Sequence, residues 1–315
     1  MDRNRVGRHL AFLSSRLEDR RRIQLRQGNH LEAFRDRGDA FDITEASHNL
    51  TKLCRAGLAD TADSVAVFMQ PTMYSVEYTK DREYPLQART QLPEPKIPAR
   101  SFSKLIRRRR SARNFDARPL SIAQLSALLF CALGETGRLF TGVEEDGSPV
   151  EASLRSIPSG GALHPTHVFA AVLQPGDLAT GLYHYDAPTH ELERVKLLPG
   201  SEIEALLAAF PIHPFVVDLA SAAALFLITS KFWRSRAKYG PRGYRYCLQE
   251  AGSACQNLCL AAVAFDLAHV VLGGFYDDEV HERLEIDGVD HAVITTIAVG
   301  APAAEPKTEP THVEL

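Results

Sequence analysis

Three segments of the chain combine residue types that can do chemistry. The first is Arg107-Arg108-Arg109-Arg110-Ser111-Ala112-Arg113. Consecutive arginines repel one another, and a bound anion relieves that repulsion. Guanidinium forks match phosphate oxygens, and the serine hydroxyl adds another donor. The second is Pro158-Ser159-Gly160-Gly161-Ala162-Leu163-His164-Pro165. Its glycines let the backbone come close to a flat ligand, and its prolines fix the chain direction. Backbone N–H groups there can meet a heteroatom-rich ring. The third is Lys238-Tyr239-Gly240-Pro241-Arg242-Gly243-Tyr244-Arg245-Tyr246. A lysine and a tyrosine side by side, just ahead of a helix, can form a general-base pair. A lysine serves as a base at neutral pH when burial or nearby positive charge lowers its pKa, and Arg236, Arg242 and Arg245 supply such charge.

Taken singly, each segment also fits a plainer account. The arginines suit the C-terminal end of a helix dipole, the glycines an ordinary tight loop, and the Lys-Tyr stretch a basic, aromatic helix start.

The elements that must position these segments can be read from pattern. Ser101 is the expected N-cap of a short helix through Arg109. Apolar residues at 122, 125, 128, 129 and 132 form one face of a helix opened by Ser121. Residues 134–161 are glycine-rich and polar, with Glu144, Glu145 and Asp146 among them, and read as a loop. Thr166–Leu173 reads as a strand, and residues 181–186 and 190–195 as a hairpin about Pro188-Thr189. Residues 201–210 suit a helix, and the unbroken apolar run 223–230 a buried strand. A long helix over Tyr244–Asp266 carries the small residues Ala251, Gly252, Ser253 and Ala254, and residues 291–300 close the domain as a strand. Irregular alternation of helices and strands around a central mixed or antiparallel sheet gives the class α+β.

Upstream, residues 1–95 are charged and irregular and are expected to form an extension suited to docking a peptide or partner. Weak helical periodicity runs over 10–27, and prolines 85, 93, 95 and 98 mark an extended linker. The catalytic domain is expected over 96–315. A 315-residue chain with 45% apolar and 24% charged residues has the make-up of a soluble globular protein. Its net charge of -3 provides no global basic field for nucleic acid or an anionic membrane. The five cysteines form no CxxC pair, so neither a disulfide framework nor a metal site is expected. The N-terminal stretch has no apolar signal region, and no run is long enough to span a bilayer, so the expected location is cytoplasmic.

Taken in order, these segments resemble one family. RRSARNF followed by PLSIAQLSALLFCALG is similar to the opening motif of FMN-dependent nitroreductases. PSGGALHPTHVFAAV with GLYHYD, then KYGPRGYRYCLQEAGSACQNLCLAA, resemble the azoline dehydrogenase branch of that fold. This branch holds the oxidase components of microcin, streptolysin and cyanobactin biosynthesis. GGFYDDEVHERLEID and AVGAP complete a likeness covering Ser101 to Pro302, and ASHNLTK at 46–52 is similar to an upstream His-x-x-Thr-Lys stretch. The chain departs from the pattern at Ser253, where the family often has histidine, and in its longer basic run.

The resemblance implies a nitroreductase-like fold and an intertwined homodimer with FMN at the interface. It gives Arg109, Ser111 and Arg113 to the FMN phosphate and ribityl chain, with Arg110 in contact with the flavin. Pro158, Ser159, Gly160, Gly161 and Leu163 of the partner subunit would lie over the isoalloxazine, and Gly273 and Gly274 near the flavin edge at N5. Lys238 and Tyr239 would be the catalytic pair, removing the acidic proton of a thiazoline or oxazoline while a hydride passes to N5 and O₂ reoxidises the cofactor. The substrate implied is a peptide or a carrier-bound intermediate, with a cyclodehydratase as partner. Two other readings stay open: an NAD(P)H-dependent nitro or quinone reductase, and a non-catalytic scaffold subunit of a peptide-modifying complex.

Overall fold

The structure is a computed structural model that describes residues 88–143 and 147–303, together with 47, 48, 50–52, 65 and 66. The expected helix over 10–27 and the acidic residues 144–146 lie outside the described residues. The chain divides into two compact units, Met1–Leu50 and Thr51–Leu315. In the first, Ser47, His48 and Leu50 are helical. All that follows concerns the second.

Its elements are β1 (Arg89–Gln91), α1 (Phe102–Arg108), β2 (Phe115–Asp116), α2 (Ile122–Leu133), β3 (Glu135–Val143), β4 (Pro149–Arg155), β5 (Thr166–Val172), β6 (Gly181–Asp186), β7 (Glu191–Leu197), α3 (Gly200–Ala208), β8 (Ala224–Lys231), α4 (Phe232–Tyr239), α5 (Gly243–Ala264), β9 (Ala268–Leu272), α6 (Asp277–Leu284) and β10 (His291–Pro302). Eight strands form one sheet in the order β1-β7-β6-β5-β8-β10-β2, with β9 also paired to β10. Every pairing within it is antiparallel. The α+β class and the flanking helices are as expected.

The sheet is buried on both faces because its central strands are apolar at consecutive positions. On β8, Phe226 and Ile228 face the layer made by α2 and α5, where Leu125, Leu128, Leu129, Ala251, Ala254 and Leu258 pack. Leu225 and Leu227 alternate to the other face, against Leu206 of α3 and Val280 and Leu284 of α6. Both foreseen helix starts are in place. Ser101 Oγ accepts from the Lys104 N–H, and Ser121 forms a reciprocal capping box with Gln124.

Three differences from the sequence expectations bear on the site. Residues 134–161 are not all loop, because β3 and β4 form a separate two-stranded hairpin. Its apolar residues Leu139, Phe140, Val143 and Leu154 are exposed while Val150 and Ala152 of β4 are buried, so exposed hydrophobic residues blur the alternation. The Lys-Tyr pair does not precede the long helix directly. It ends a helix of its own, α4, which Gly240 terminates at φ +57°. The segment 89–91, expected as linker, adds β1 to the edge of the sheet beside β7. Among the described residues, no helix is long and apolar enough to cross a membrane.

Candidate functional site

Two glycines fix where Lys238 and Tyr239 stand. A β-carbon at Gly243 would lie 2.4 Å from the Ser235 carbonyl oxygen, so only glycine lets α5 start against the backbone of α4. Gly161, at φ +67°, turns the Pro158–Pro165 loop over the end of α4. A β-carbon there would meet Tyr239 Oη at 2.6 Å and Lys238 Nζ at 2.7 Å. Both functional groups therefore converge on one bare position of the loop. Lys238 is buried and Tyr239 half-buried, and Nζ sits 5.6 Å from the Tyr239 ring centroid. Tyr246, one turn into α5, packs edge-on against Tyr239 at 5.0 Å and lies beside Gly160.

The loop itself is held from below by α5. Glu250 Oε1 accepts from the Ser159 hydroxyl at 3.1 Å and from the Gly160 N–H at 3.0 Å. Ser159 Oγ also accepts from the His164 N–H at 2.9 Å. Asn257 Nδ2 donates to the carbonyls of Cys131 and Ser156, tying the approach to the loop to the end of α2. His164 Nε2 lies 2.8 Å from the Ser153 carbonyl of the hairpin. Burial, reinforced by Arg155, lowers the His164 pKa to about 3, so the ring is neutral and donates to that carbonyl. Burial raises the Glu250 pKa to about 7, although its two hydrogen bonds favour the carboxylate.

Of the expected loop residues, Pro158 is exposed, Ser159, Gly160 and Gly161 are half-buried, and Leu163 is buried. The Gly160 N–H is engaged by Glu250 rather than turned out to a ligand. Pro158, Ser159, Gly160, Tyr239, Tyr246, Gln249, Glu250 and Ser253 line an open pocket of about 410 Å³. That volume lies in the range of small-molecule sites.

The arginine segment is placed by different contacts. The Ala112 N–H donates to the His269 carbonyl of β9 at 2.8 Å, and the Asp218 N–H to the Arg113 carbonyl at 2.9 Å. Arg109 is half-buried, while Arg110, Ser111 and Arg113 are exposed, and Arg110 Nη1 donates to the Arg109 carbonyl at 2.9 Å. Burial, aided by the Arg109 charge, lowers the pKa of His269 to about 4. Gly273 and Gly274 directly follow the end of β9 at Leu272. Both have open space where a side chain would stand. The arginine segment adjoins β9, which Gly273 and Gly274 follow, and the Lys-Tyr pair and the loop form a second cluster.

Sequence reasoning missed two residues here, Glu250 and Asn257. The signal for Glu250 lay in the buried stripe Cys247, Ala251, Ala254 and Leu258 of α5, on which it falls. Among the described residues, no group of three or more His, Cys, Asp or Glu could hold a metal ion.

The chain is 29% identical over 192 residues to a nitroreductase-type protein of Methanocaldococcus jannaschii, covering 61% of this chain and 88% of that one. It is 32% identical over 154 residues to the microcin B17-processing protein McbC of Escherichia coli, covering 44% of this chain and 52% of that protein. The match thus spans about half the length of McbC. Among solved structures, a nitroreductase from Anabaena variabilis aligns with a TM-score of 0.59 at 23% identity, over 81% of this chain and 45% of that one. A chain of the E. coli microcin synthetase McbBCD complex with truncated pro-MccB17 bound aligns at 0.52 and 23%, over 84% of this chain and 98% of that one. The family pattern of the nitroreductases matches residues 106–301, from α1 to β10. With the arginine segment, the glycine loop and the Lys-Tyr pair all inside that match, the chain belongs to the nitroreductase family.

Proposed function

We propose that the protein is an FMN-dependent oxidoreductase that dehydrogenates thiazoline or oxazoline rings, in a peptide or carrier-bound intermediate, to azoles. The observation that carries this reading is the convergence of Lys238 Nζ and Tyr239 Oη on Gly161, beside a cavity walled by aromatic rings. A reductase that only passes electrons needs no such pair. The identity to McbC, a microcin-processing protein, supports a peptide substrate.

The residues present fit a flavin. Arg109, Arg110, Ser111 and Arg113 would hold its phosphate and ribityl chain with charge-assisted hydrogen bonds. The open space at Gly273 and Gly274 leaves room for a planar ring against the backbone. Pro158, Ser159, Gly160 and Gly161 would cover that ring, with Leu163 packed behind them. When bound, the flavin supplies a hydride acceptor that no side chain provides. Lys238 or Tyr239 takes the acidic proton next to the azoline carbonyl. With a flavin bound, the neighbouring ring hydrogen would leave as hydride and a C=C bond would form, with O₂ the final acceptor of two electrons and two protons. Burial of Lys238 keeps water from the proton it receives.

A homodimer completes this reading. On α5, Tyr244 and Leu248 are exposed, and Gly252 has open space beside it, so a second subunit's helix can approach closely. By analogy with the McbBCD complex, the proposed partners are a substrate peptide and a cyclodehydratase.

The deciding experiment mixes flavin-loaded protein with a thiazoline-containing peptide and follows loss of two hydrogens by mass spectrometry. The K238A/Y239F double variant should bind FMN and leave the peptide unchanged. Fast bleaching of the flavin by NADPH, with no azoline oxidation, would make the protein a nitro or quinone reductase. Failure to bind FMN at all would leave a scaffold role.

A further inference from the structure

Tyr239 is the last residue of α4, and its backbone has already left the helix at φ -113° and ψ 8°. The buried side of α4 is made by Phe232, Ser235 and Lys238. Lys238 is therefore aimed by the core around it and is only 2% exposed. Tyr239 is half-buried at the end of the last turn, so its ring takes its direction from what packs on it. Another staggered χ1 well would swing its hydroxyl away from Gly161.

Tyr246 is a ring that meets it. The two centroids are 5.0 Å apart and the planes cross at 85°, the edge-on arrangement that aromatic pairs favour. The Arg242 guanidinium lies 6.0 Å from the Tyr246 centroid, and Lys238 Nζ 5.6 Å from that of Tyr239. The order is thus Arg242, Tyr246, Tyr239, Lys238, with two rings between two cations. Gly160 borders both rings: a β-carbon there would stand 3.4 Å from Tyr246 Cδ2 and 3.7 Å from Tyr239 Cε2.

The helix that carries Tyr246 has a fixed start, because Gly243 seats it on the Ser235 carbonyl of α4. Four residues on, along the same face, Glu250 accepts from Ser159 and Gly160. One turn of α5 thereby reaches both halves of the site, the loop through Glu250 and the Lys-Tyr pair through Tyr246.

We propose that Tyr246 is a positioning residue: its ring, braced by Arg242, holds the Tyr239 ring in the orientation that brings Oη beside Lys238 Nζ at Gly161. The role belongs to the ring, because the edge-on contact and the cation contact are both made by it and neither uses the hydroxyl. The inference rests on the azoline reading, in which Tyr239 touches the substrate, and adds what aims it.

Two measurements on the full chain test it. The first is steady-state oxidation of a thiazoline peptide by the flavin-loaded protein. Tyr246→Leu should lower kcat on the order of tenfold to a hundredfold, the effect of displacing a reacting group by about 1 Å, with KM and flavin content unchanged. Y246F keeps the ring and should rescue most of kcat. In a Y239F background, Y246L should lower kcat no further, since residues that act as a unit are not additive. Tyr246 is half-buried, so leucine there buries no polar group; Y246M, with a flexible chain in the same place, repeats the test if Y246L melts early.

The second measurement needs no substrate. It is the nuclear Overhauser contact between the Tyr239 ring protons, assigned by their loss in Y239F, and the Gly161 α-protons. That contact should be present in wild type and Y246F and lost in Y246L. An unchanged kcat in Y246L, a Y246F variant as slow as Y246L, or a full additional loss in the Y239F background would each overturn the assignment. So would a Tyr239–Gly161 contact that survives in Y246L. Loss of that contact in a protein without azoline turnover keeps the role of Tyr246 and removes the dehydrogenase reading, and turnover with the contact intact in Y246L does the reverse.

Discussion

Lys238 and Gly161 are fitted to each other: a β-carbon on Gly161 would stand 2.7 Å from Nζ. The Gly161→Ala variant must therefore move the lysine, the tyrosine or the loop, at a left-handed backbone position that costs alanine about 1 kcal/mol. Turnover should fall roughly a hundredfold, because misplacement of about 1 Å is enough to do so. Melting temperature should fall only slightly, and bound flavin should be retained. Steady-state kinetics beside thermal denaturation separates these effects.

Removing one member of the pair at a time assigns the base. K238A and Y239F should each lower kcat, the true base by about a hundredfold to ten-thousandfold. Neither should alter the flavin absorbance. A variant that raises KM alone would mark a group that binds the ring without taking its proton.

Arg109 is the half-buried member of the arginine segment and lies close enough to His269 to help keep that ring neutral. Loss of one charge-assisted hydrogen bond to phosphate is worth about 2 kcal/mol. R109A should thus bind FMN about thirtyfold more weakly, read from recovered flavin fluorescence on dilution. R110A, whose guanidinium already donates to the Arg109 carbonyl, should lose less.

Glu250 also has a signature in stability. A carboxyl raised from its usual 4.5 to about 7 by burial favours the fold when protonated. Its contribution is complete below about pH 4.5 and is lost as the pH rises through about 7, a loss on the order of 3 kcal/mol. Chemical denaturation should show the wild type losing stability relative to E250Q across that window, and nowhere else.

Arg89 carries the fifth prediction. It pairs with Glu191 at 2.6 Å and with Glu193, a fully buried carboxylate that His184 also contacts at 2.8 Å. R89M leaves that buried carboxylate without its guanidinium partner, at a cost of roughly 3 kcal/mol. The melting temperature should drop by on the order of 10 °C. A chain begun at residue 96 lacks β1 and the core residue Leu92 as well and should fare worse.

Legibility in the sequence followed local physics. The helices opened by Ser101 and Ser121 were readable because capping is a short-range hydrogen bond. The run ending at Ser230 was readable as a buried strand because both faces of β8 are apolar. The β3–β4 hairpin was not, since Leu139 and Phe140 point to solvent and mimic a loop's irregular pattern. The end of α4 was obscured by Gly240-Pro241, which marked a helix start while hiding that Lys238 and Tyr239 finish the one before. The glycine and Lys-Tyr motifs could be named but not joined, because their meeting rests on Gly161, whose contacts with Lys238 and Tyr239 lie far away in sequence. Glu250 escaped because a lone glutamate in a helix resembles a solvated one until its neighbours on the stripe are counted.

The twelve residues of β10 hold β8, β9 and β2 at once, and Ala301 and Pro302 are the residues that pair with Asp116 and Phe115. During synthesis, β2 and the arginines just before it therefore wait for nearly two hundred further residues before their strand has a partner. Such long-range closure is slow, and its exposed edges invite misassociation until it is made. The proposed phosphate anchor is thus among the last parts of the domain to take shape on the ribosome, and a nascent chain stalled before residue 301 would have its Lys-Tyr helix but no finished arginine segment.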